Sequence, residues 1–142
     1  MPHTAPAGAP ASVLRDLAQF RYRLRLFLRF SERAARAAGV TPLQHQLMLG
    51  VAGFTGRGWA TIGELTECLQ ERHNAVVALV TRAVSAGLVR KRRDPADRRV
   101  VRVELTARGR RVLLRLAHRH REELARFPRG GLLPSAGRRG AR

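Results

Sequence analysis

Residues 61–105, TIGELTECLQERHNAVVALVTRAVSAGLVRKRRDPADRRVVRVEL, decide the fold of this 142-residue chain. Thr61 and Glu64 stand three positions apart before an apolar run, which is the spacing of a capping box at a helix start. That helix is expected to end near Gln70. A second helix is expected from His73 to Ala86, because Gly87 follows it as a helix-terminating residue. Two short helices joined this tightly predict a helix-turn-helix.

The next residues predict a β-hairpin with a basic tip. Val100 to Leu105 alternates apolar and polar side chains, which is typical of a half-buried strand. Leu88 to Arg93 supplies the preceding strand, and Asp94 and Pro95 suit the first two positions of a type I turn. A hairpin that follows a helix-turn-helix is a wing, so the fold is expected to be a winged helix-turn-helix that is mainly α.

Further helices are expected on both sides of this segment. Ser12 to Ala38 has apolar residues at helical spacing and is followed by Gly39. A second helix begins after Thr41, which forms a capping box with Gln44, and runs to about Ala52. Thr106 caps a last long helix that ends near Phe127, before a proline. The apolar stripes of the two long helices contain Leu17, Phe20, Leu24, Phe27, Leu28, Leu113, Leu116, Ala117, Leu124 and Phe127.

The charge of the chain limits its partners. The formal net charge is +18, with 28 basic and 10 acidic residues, and all of the basic residues but Lys91 are arginine. GC-rich coding could explain arginine over lysine but not the shortage of acidic residues. The balance favours polyanions, with nucleic acid as the first candidate and an anionic membrane surface as the second.

Compartment and membrane status follow from composition. Cys68 is the single cysteine, so no internal disulfide can form, which fits a reducing cytoplasm. No apolar stretch approaches the ~18 residues that would cross a bilayer. We therefore expect a cytoplasmic protein without a membrane partner.

The candidate DNA contacts lie on the second helix of the motif and on the wing. Polar side chains begin that helix, where base edges are normally met, and the small apolar residues after them can reach thymine methyl groups. Arginines at a β tip can enter a minor groove, and arginines at its base suit phosphates. The candidate DNA-binding residues are Arg72, His73, Asn74, Ala75, Ala78, Arg82, Arg93, Arg98 and Arg99, and Asp97 is expected to pair with an arginine and shape the wing.

These motifs resemble the MarR family of winged helix-turn-helix regulators. Residues 88–109, LVRKRRDPADRRVVRVELTARG, are similar to its signature of an Asp-x-Arg wing, a strand and Leu-Thr-x-x-Gly. Residues 61–65 (TIGEL), 72–88 (RHNAVVALVTRAVSAGL) and 41–49 (TPLQHQLML) resemble other family helices. The resemblance covers roughly residues 12–127. Asp97, Arg99, Leu105, Thr106 and Gly109 fill the signature positions.

The resemblance implies a homodimeric, sequence-specific regulator of transcription, a repressor that binds a pseudo-palindrome in double-stranded DNA. Many members are released by a small anionic phenolic or lipophilic effector. Composition predicts a disordered Pro/Ala-rich tail (1–11) and a disordered basic tail (128–142). Between them, the resemblance implies an N-terminal dimerisation helix (12–40), the DNA-binding domain (41–106) and a C-terminal dimerisation helix (107–127). The chain departs from the family at Ala75, where a polar residue is common, and in the last segment, where a final helix is usual.

Several other residues leave alternatives open. His45, Arg21 and Arg25 are candidates for an effector pocket. The alternatives are a structural role for His45 and a solvated arginine stripe over residues 21–33. Cys68 is a redox sensor or a small buried residue. His118, His120 and Glu122 are either metal ligands or solvated or interface side chains, and Trp59 is either a functional residue or packs the loop.

No motif of an enzyme is present in the sequence. There is no glycine-rich phosphate loop, no nucleophile beside a positioned histidine and no paired carboxylates. No metal or other cofactor is expected. The alternative to a DNA-binding regulator is a winged-helix interaction module for a protein or an anionic membrane surface.

Overall fold

The computed structural model describes residue 8 and residues 10–127. The expected fold class is confirmed: five helices surround a small antiparallel sheet. The tail expected over residues 128–142 lies outside the described residues, as does most of the tail expected over residues 1–11. The elements are α1 (Ala11–Ala37), α2 (Pro42–Gly53), β1 (Trp59–Ala60), α3 (Ile62–Leu69), α4 (His73–Ser85), β2 (Val89–Arg93), β3 (Val101–Leu105) and α5 (Ala107–Ala125).

Threonine side chains cap the starts of α2, α3 and α5. The Thr41 hydroxyl accepts a hydrogen bond from the Gln44 amide, and the Gln44 side chain accepts one from the Thr41 amide at 3.0 Å. Thr61 and Glu64 form the same reciprocal pair at the start of α3. Both capping boxes expected from the sequence are therefore confirmed, and each satisfies amide donors that a helix start leaves free.

The sheet has a strand that the sequence pattern did not reveal. The order is β1-β3-β2, with Trp59 opposite Glu104 on one side of β3 and Val89 opposite Leu105 on the other. Only the β2–β3 hairpin was expected. β1 has two residues, which is too short for any alternation to show. It joins the loop before the helix-turn-helix to the wing.

The core lies between α2, α3, α4, the C-terminal half of α1, the N-terminal half of α5 and the sheet. Leu47, Val51, Leu65 and Val80 are fully buried in it. α1 contributes little to this core, since its buried residues are Ala34 and Ala35 near its end. The apolar stripe expected along α1 is partly covered in the monomer: Phe20, Leu24 and Phe27 are half-buried, whereas Leu17 and Leu28 are exposed.

A close contact joins α5 to the end of the helix-turn-helix. The Thr106 hydroxyl donates to the Gly87 carbonyl at 2.6 Å and accepts from the Gly109 amide at 3.0 Å. A Cβ on Gly109 would lie 2.0 Å from the Leu88 carbonyl oxygen. The Thr-x-x-Gly sequence therefore combines a helix cap with a backbone approach that only glycine permits.

Candidate nucleic-acid interface

The first turn of α4 presents free polar side chains to solvent. Arg72 is the N-cap residue of α4 and makes no side-chain capping hydrogen bond. Arg72, His73 and Asn74 are all exposed, and none of their side chains has a hydrogen-bond partner among the described residues. They remain available to an external partner, as expected for groups that read base edges.

The rest of α4 has a buried face and an exposed face. Val76, Leu79, Val80 and Ala83 are buried in the core, so much of the apolar run that follows Asn74 packs inside the protein. The exposed face carries Ala75, Ala78 and Arg82, all of which are candidate contacts. These three line a shallow groove beside α2, together with Leu43, Glu71, Val76 and Leu79.

Asp94 is the main organiser of the wing turn. One carboxylate oxygen accepts from the amides of Ala96 at 2.7 Å and Asp97 at 3.1 Å, and the other accepts from the Arg102 guanidinium at 2.7 Å. The hydrogen bond from Arg102, then those from the two amides, lower the pKa of Asp94. The sequence placed Asp94 in a turn but gave no sign of its pairing with Arg102 on the next strand.

Asp97 pairs with Arg99 within the wing. Its carboxylate accepts from the Arg99 side chain at 3.1 and 3.2 Å and from the Arg99 amide at 3.1 Å. These bonds lower the pKa of Asp97. Arg99 is held in one orientation, yet 91% of its side chain is exposed. Arg93 donates to the Arg98 carbonyl at 3.0 Å, so it braces the tip from below.

Much of the positive charge on this surface is not neutralised by the protein. Within the described residues, the arginines paired with a carboxylate are Arg57, Arg90, Arg99, Arg102 and Arg126. The exposed basic residues of α4 and the wing outside that set are Arg72, Arg82, Lys91, Arg92, Arg93 and Arg98. Unpaired charge on one structural unit favours a polyanion.

Comparisons with known proteins agree with this architecture. Residues 38–100 match the model of the MarR family. Residues 38–100 form a MarR family domain. They include α2 to α4, β2 and the wing turn, so the resemblance inferred from the sequence motifs is confirmed.

Solved structures with the same fold include those of MarR family proteins. A MarR family protein from Bacillus stearothermophilus is 24% identical with a TM-score of 0.73, and the match covers 84% of this chain and 81% of that protein's chain. AbsC, a MarR family transcriptional regulator from Streptomyces coelicolor, is 18% identical with a TM-score of 0.69, and the match covers 84% of this chain and 80% of AbsC. NadR, solved with 4-hydroxyphenylacetate, is 19% identical with a TM-score of 0.64, and the match covers 87% of this chain and 81% of NadR. Comparison with curated protein sequences gives no match.

The three candidate effector residues, His45, Arg21 and Arg25, do not line a common groove. Arg21 and Arg25 line a groove on α1 with Leu24, Leu28, Arg29 and Glu32. His45 is 5% exposed, and its ring centroid lies 4.8 Å from that of His120. The structure therefore does not bring His45 together with the two arginines, because the histidine faces the core and the arginines face solvent.

A larger groove lies between α1 and α5. Its volume is about 800 Å³. Five arginines and four large apolar side chains make up most of its lining, so it offers both positive charge and apolar surface. The lining residues are Tyr22, Arg23, Leu26, Arg29, Phe30, Arg33, Arg119, Glu122, Glu123, Arg126 and Phe127. Sequence reasoning missed this groove because its residues come from helices far apart in the chain.

The stability of the fold is expected to fall as the pH drops below about 6.5, the usual pKa of histidine. Burial first, and the charge of His120 second, lower the pKa of His45, and its Nδ1 has no hydrogen-bond partner among the described atoms. The unfolded chain then binds a proton more readily than the folded one, so the free energy of unfolding falls as the pH falls. Denaturant unfolding between pH 5 and pH 8 measures it.

A His45→Leu variant should show a flatter pH profile than the unmodified protein, whatever its absolute stability. A His118→Ala variant is the control, because His118 is exposed and pairs only with Glu122 at 3.2 Å. An unchanged pH profile in His45→Leu would show that another group is responsible.

Packing and burial distinguish between the alternative roles of Cys68 and of the two histidines of α5. Burial raises the pKa of the Cys68 thiol, and a Cβ on Gly50 would lie 3.1 Å from its sulfur, so Cys68 fits a packing role better than a redox role. His120 points inward and hydrogen bonds to Ser31 at 2.8 Å, away from the exposed His118. No metal-binding cluster is found among the described residues, and none of their helices is long and apolar enough to cross a membrane.

Proposed function

We propose that this protein is a non-enzymatic transcription regulator, a repressor that binds a pseudo-palindrome in double-stranded DNA as a homodimer. The observation that carries the proposal is the free start of α4 together with the basic wing tip, both exposed and both on the MarR family domain. Asn74 suits adenine, Arg72 suits guanine or phosphate, and the tip arginines suit a minor groove. A dimer seated on a promoter would exclude the transcription machinery.

The uncovered face of α1 supports the homodimer. Leu14, Leu17 and Leu28 share one face of α1 and are 58%, 50% and 47% exposed, and exposed apolar stripes of this kind are usually covered by another surface. A second copy of α1 offers the same stripe, so a two-fold interface would be self-complementary. Two-fold symmetry would place two copies of α4 on successive major grooves, about 34–36 Å apart.

The α1–α5 groove supports an effector of anionic aromatic character. Arg29, Arg33 and Arg119 provide charge, and Tyr22 and Phe30 provide apolar surface. NadR, which shares the fold, was solved with such a compound, 4-hydroxyphenylacetate. An effector held between these helices would change the distance between the two copies of α4 and release the DNA.

Selection of bound duplexes from a random pool tests this function. We expect a pseudo-palindrome, and we expect Asn74→Ala to weaken binding to the selected duplex by about 1–3 kcal/mol, because one base-edge contact is lost. Binding to random duplex should change little. Equilibrium gel-shift titrations measure both affinities.

Gln46→Ala is the matched control, since Gln46 is an exposed amide on α2 and lies outside α4 and the wing. Equal losses on selected and random DNA would show that Asn74 reads no base. If no duplex is selected while anionic vesicles or a protein partner bind, the interaction-module alternative replaces the proposal.

A further inference from the structure

Trp59 on β1 lies between two arginine side chains. The guanidinium carbon of Arg57 is 3.7 Å from the centroid of the Trp59 ring, and that of Arg102 is 4.1 Å away. Arginine stacks favourably on the face of an indole ring. The three side chains come from the loop before β1, from β1 itself and from β3, and we refer to them together as the Trp59 clamp.

Each arginine of the Trp59 clamp also binds a carboxylate that organises a neighbouring element. Arg102 donates to Asp94 at 2.7 Å, and Asp94 holds the wing turn through two backbone amides. Arg57 donates to Glu64 at 2.6 Å, and Glu64 accepts from the Thr61 amide at 2.9 Å to close the capping box of α3. An unbroken series of contacts therefore runs from the wing turn to the first helix of the helix-turn-helix.

We propose that the Trp59 clamp sets the orientation of the wing relative to the helix-turn-helix, and that it thereby positions the wing tip for DNA binding. The consequence for DNA rests on the proposed function. A two-stranded hairpin is only marginally ordered by itself, and β1 extends the sheet by two residues. A wing held in place before binding loses less conformational freedom on binding, which improves affinity.

The exposure of the Arg57 end of the Trp59 clamp argues against a purely structural role for that end. The side chains of Arg57 and Glu64 are 41% and 33% exposed, and ion pairs this exposed contribute little to folding stability. The pair of Arg102 with Asp94 is more buried, with side chains 26% and 11% exposed, so its loss would cost more stability. Loss of the Arg57 contacts should therefore disturb the placement of the wing more than the stability of the domain.

Arg57→Gln is the first test, because it removes one stacked guanidinium and its ion pair from an exposed position. We expect faster hydrogen exchange at the amides of Ala96 and Asp97, which the clamp orders through Asp94, with no more than a small change in melting temperature. Arg115→Gln, on the exposed surface of α5, is the control and should leave this exchange unchanged. Unchanged exchange in Arg57→Gln would overturn the proposal.

A double-mutant cycle tests the consequence for DNA. Trp59→Ala should weaken binding to the selected duplex about tenfold when the wing tip is intact, and by less than about twofold when Arg98 and Arg99 are already alanine. Arg57→Gln should show the same dependence if Trp59→Ala fails to fold. If Trp59→Ala weakens binding by the same factor with and without Arg98 and Arg99, the clamp does not act through the wing. If the unmodified protein selects no duplex, the proposed function fails, and hydrogen exchange alone decides whether the clamp orders the wing.

Discussion

Raising the salt concentration from about 50 to about 200 mM is expected to weaken DNA binding by about 10³–10⁵-fold, if the dimer neutralises roughly 6–10 phosphates. Each protomer supports this range with Arg72, Arg82, Lys91, Arg92 and Arg98, which are exposed and unpaired within the described residues. Every neutralised phosphate releases bound counterions, and added salt opposes that release. Fluorescence anisotropy of a labelled duplex measures the dependence.

Substitutions identify which arginines are responsible for the salt effect. Arg82→Ala should reduce the slope of log affinity against log salt by roughly 2, since the dimer loses one phosphate contact in each protomer. Arg115→Ala removes the same charge from the exposed surface of α5 and should leave the slope unchanged. A flat salt titration of the unmodified protein would exclude a phosphate-binding surface of this size.

Gly109→Ala is expected to destabilise the fold by about 2–4 kcal/mol, even though alanine favours helices over glycine by about 1 kcal/mol. The new Cβ would lie 2.0 Å from the Leu88 carbonyl oxygen and 2.9 Å from its carbon, so α5 would have to move away from the end of the helix-turn-helix. Thermal and denaturant unfolding at a fixed protein concentration measure the change, because dimerisation contributes to the apparent stability.

Gly63→Ala provides a matched control in α3. A Cβ there would meet only the Thr61 hydroxyl, at 3.9 Å, so the variant should be neutral or more stable by about 0.5–1 kcal/mol. If the two variants had the same stability, the contact between Gly109 and Leu88 would not be a constraint on the fold.

Local signals in the sequence predicted the helices and the wing well. Thr41, Thr61 and Thr106 each begin a helix at the position that the capping pattern indicates. Gly87 ends the unit containing α4 with a φ of 73°, a conformation that glycine adopts without strain. These features depend on residues a few positions apart, so the sequence contains all the information that they need.

Contacts between distant residues could not be predicted in the same way. Arg102 binds Asp94 and also lies on Trp59, which is more than forty positions earlier in the chain. β1 is invisible in the pattern because only its pairing with β3 defines it. The burial of His45 against His120 likewise depends on how α2 meets α5, so the sequence pattern could not show that His45 lies apart from Arg21 and Arg25.

The most direct test of the central claim is methylation interference on the selected duplex, since dimethyl sulfate modifies guanine N7 in the major groove and adenine N3 in the minor groove. If α4 and the wing tip hold one duplex together, methylation in both grooves of each half-site should block binding, in two clusters about 34–36 Å apart. Binding that tolerates methylation in both grooves would contradict the account, because it would show a protein that contacts phosphates and reads no bases.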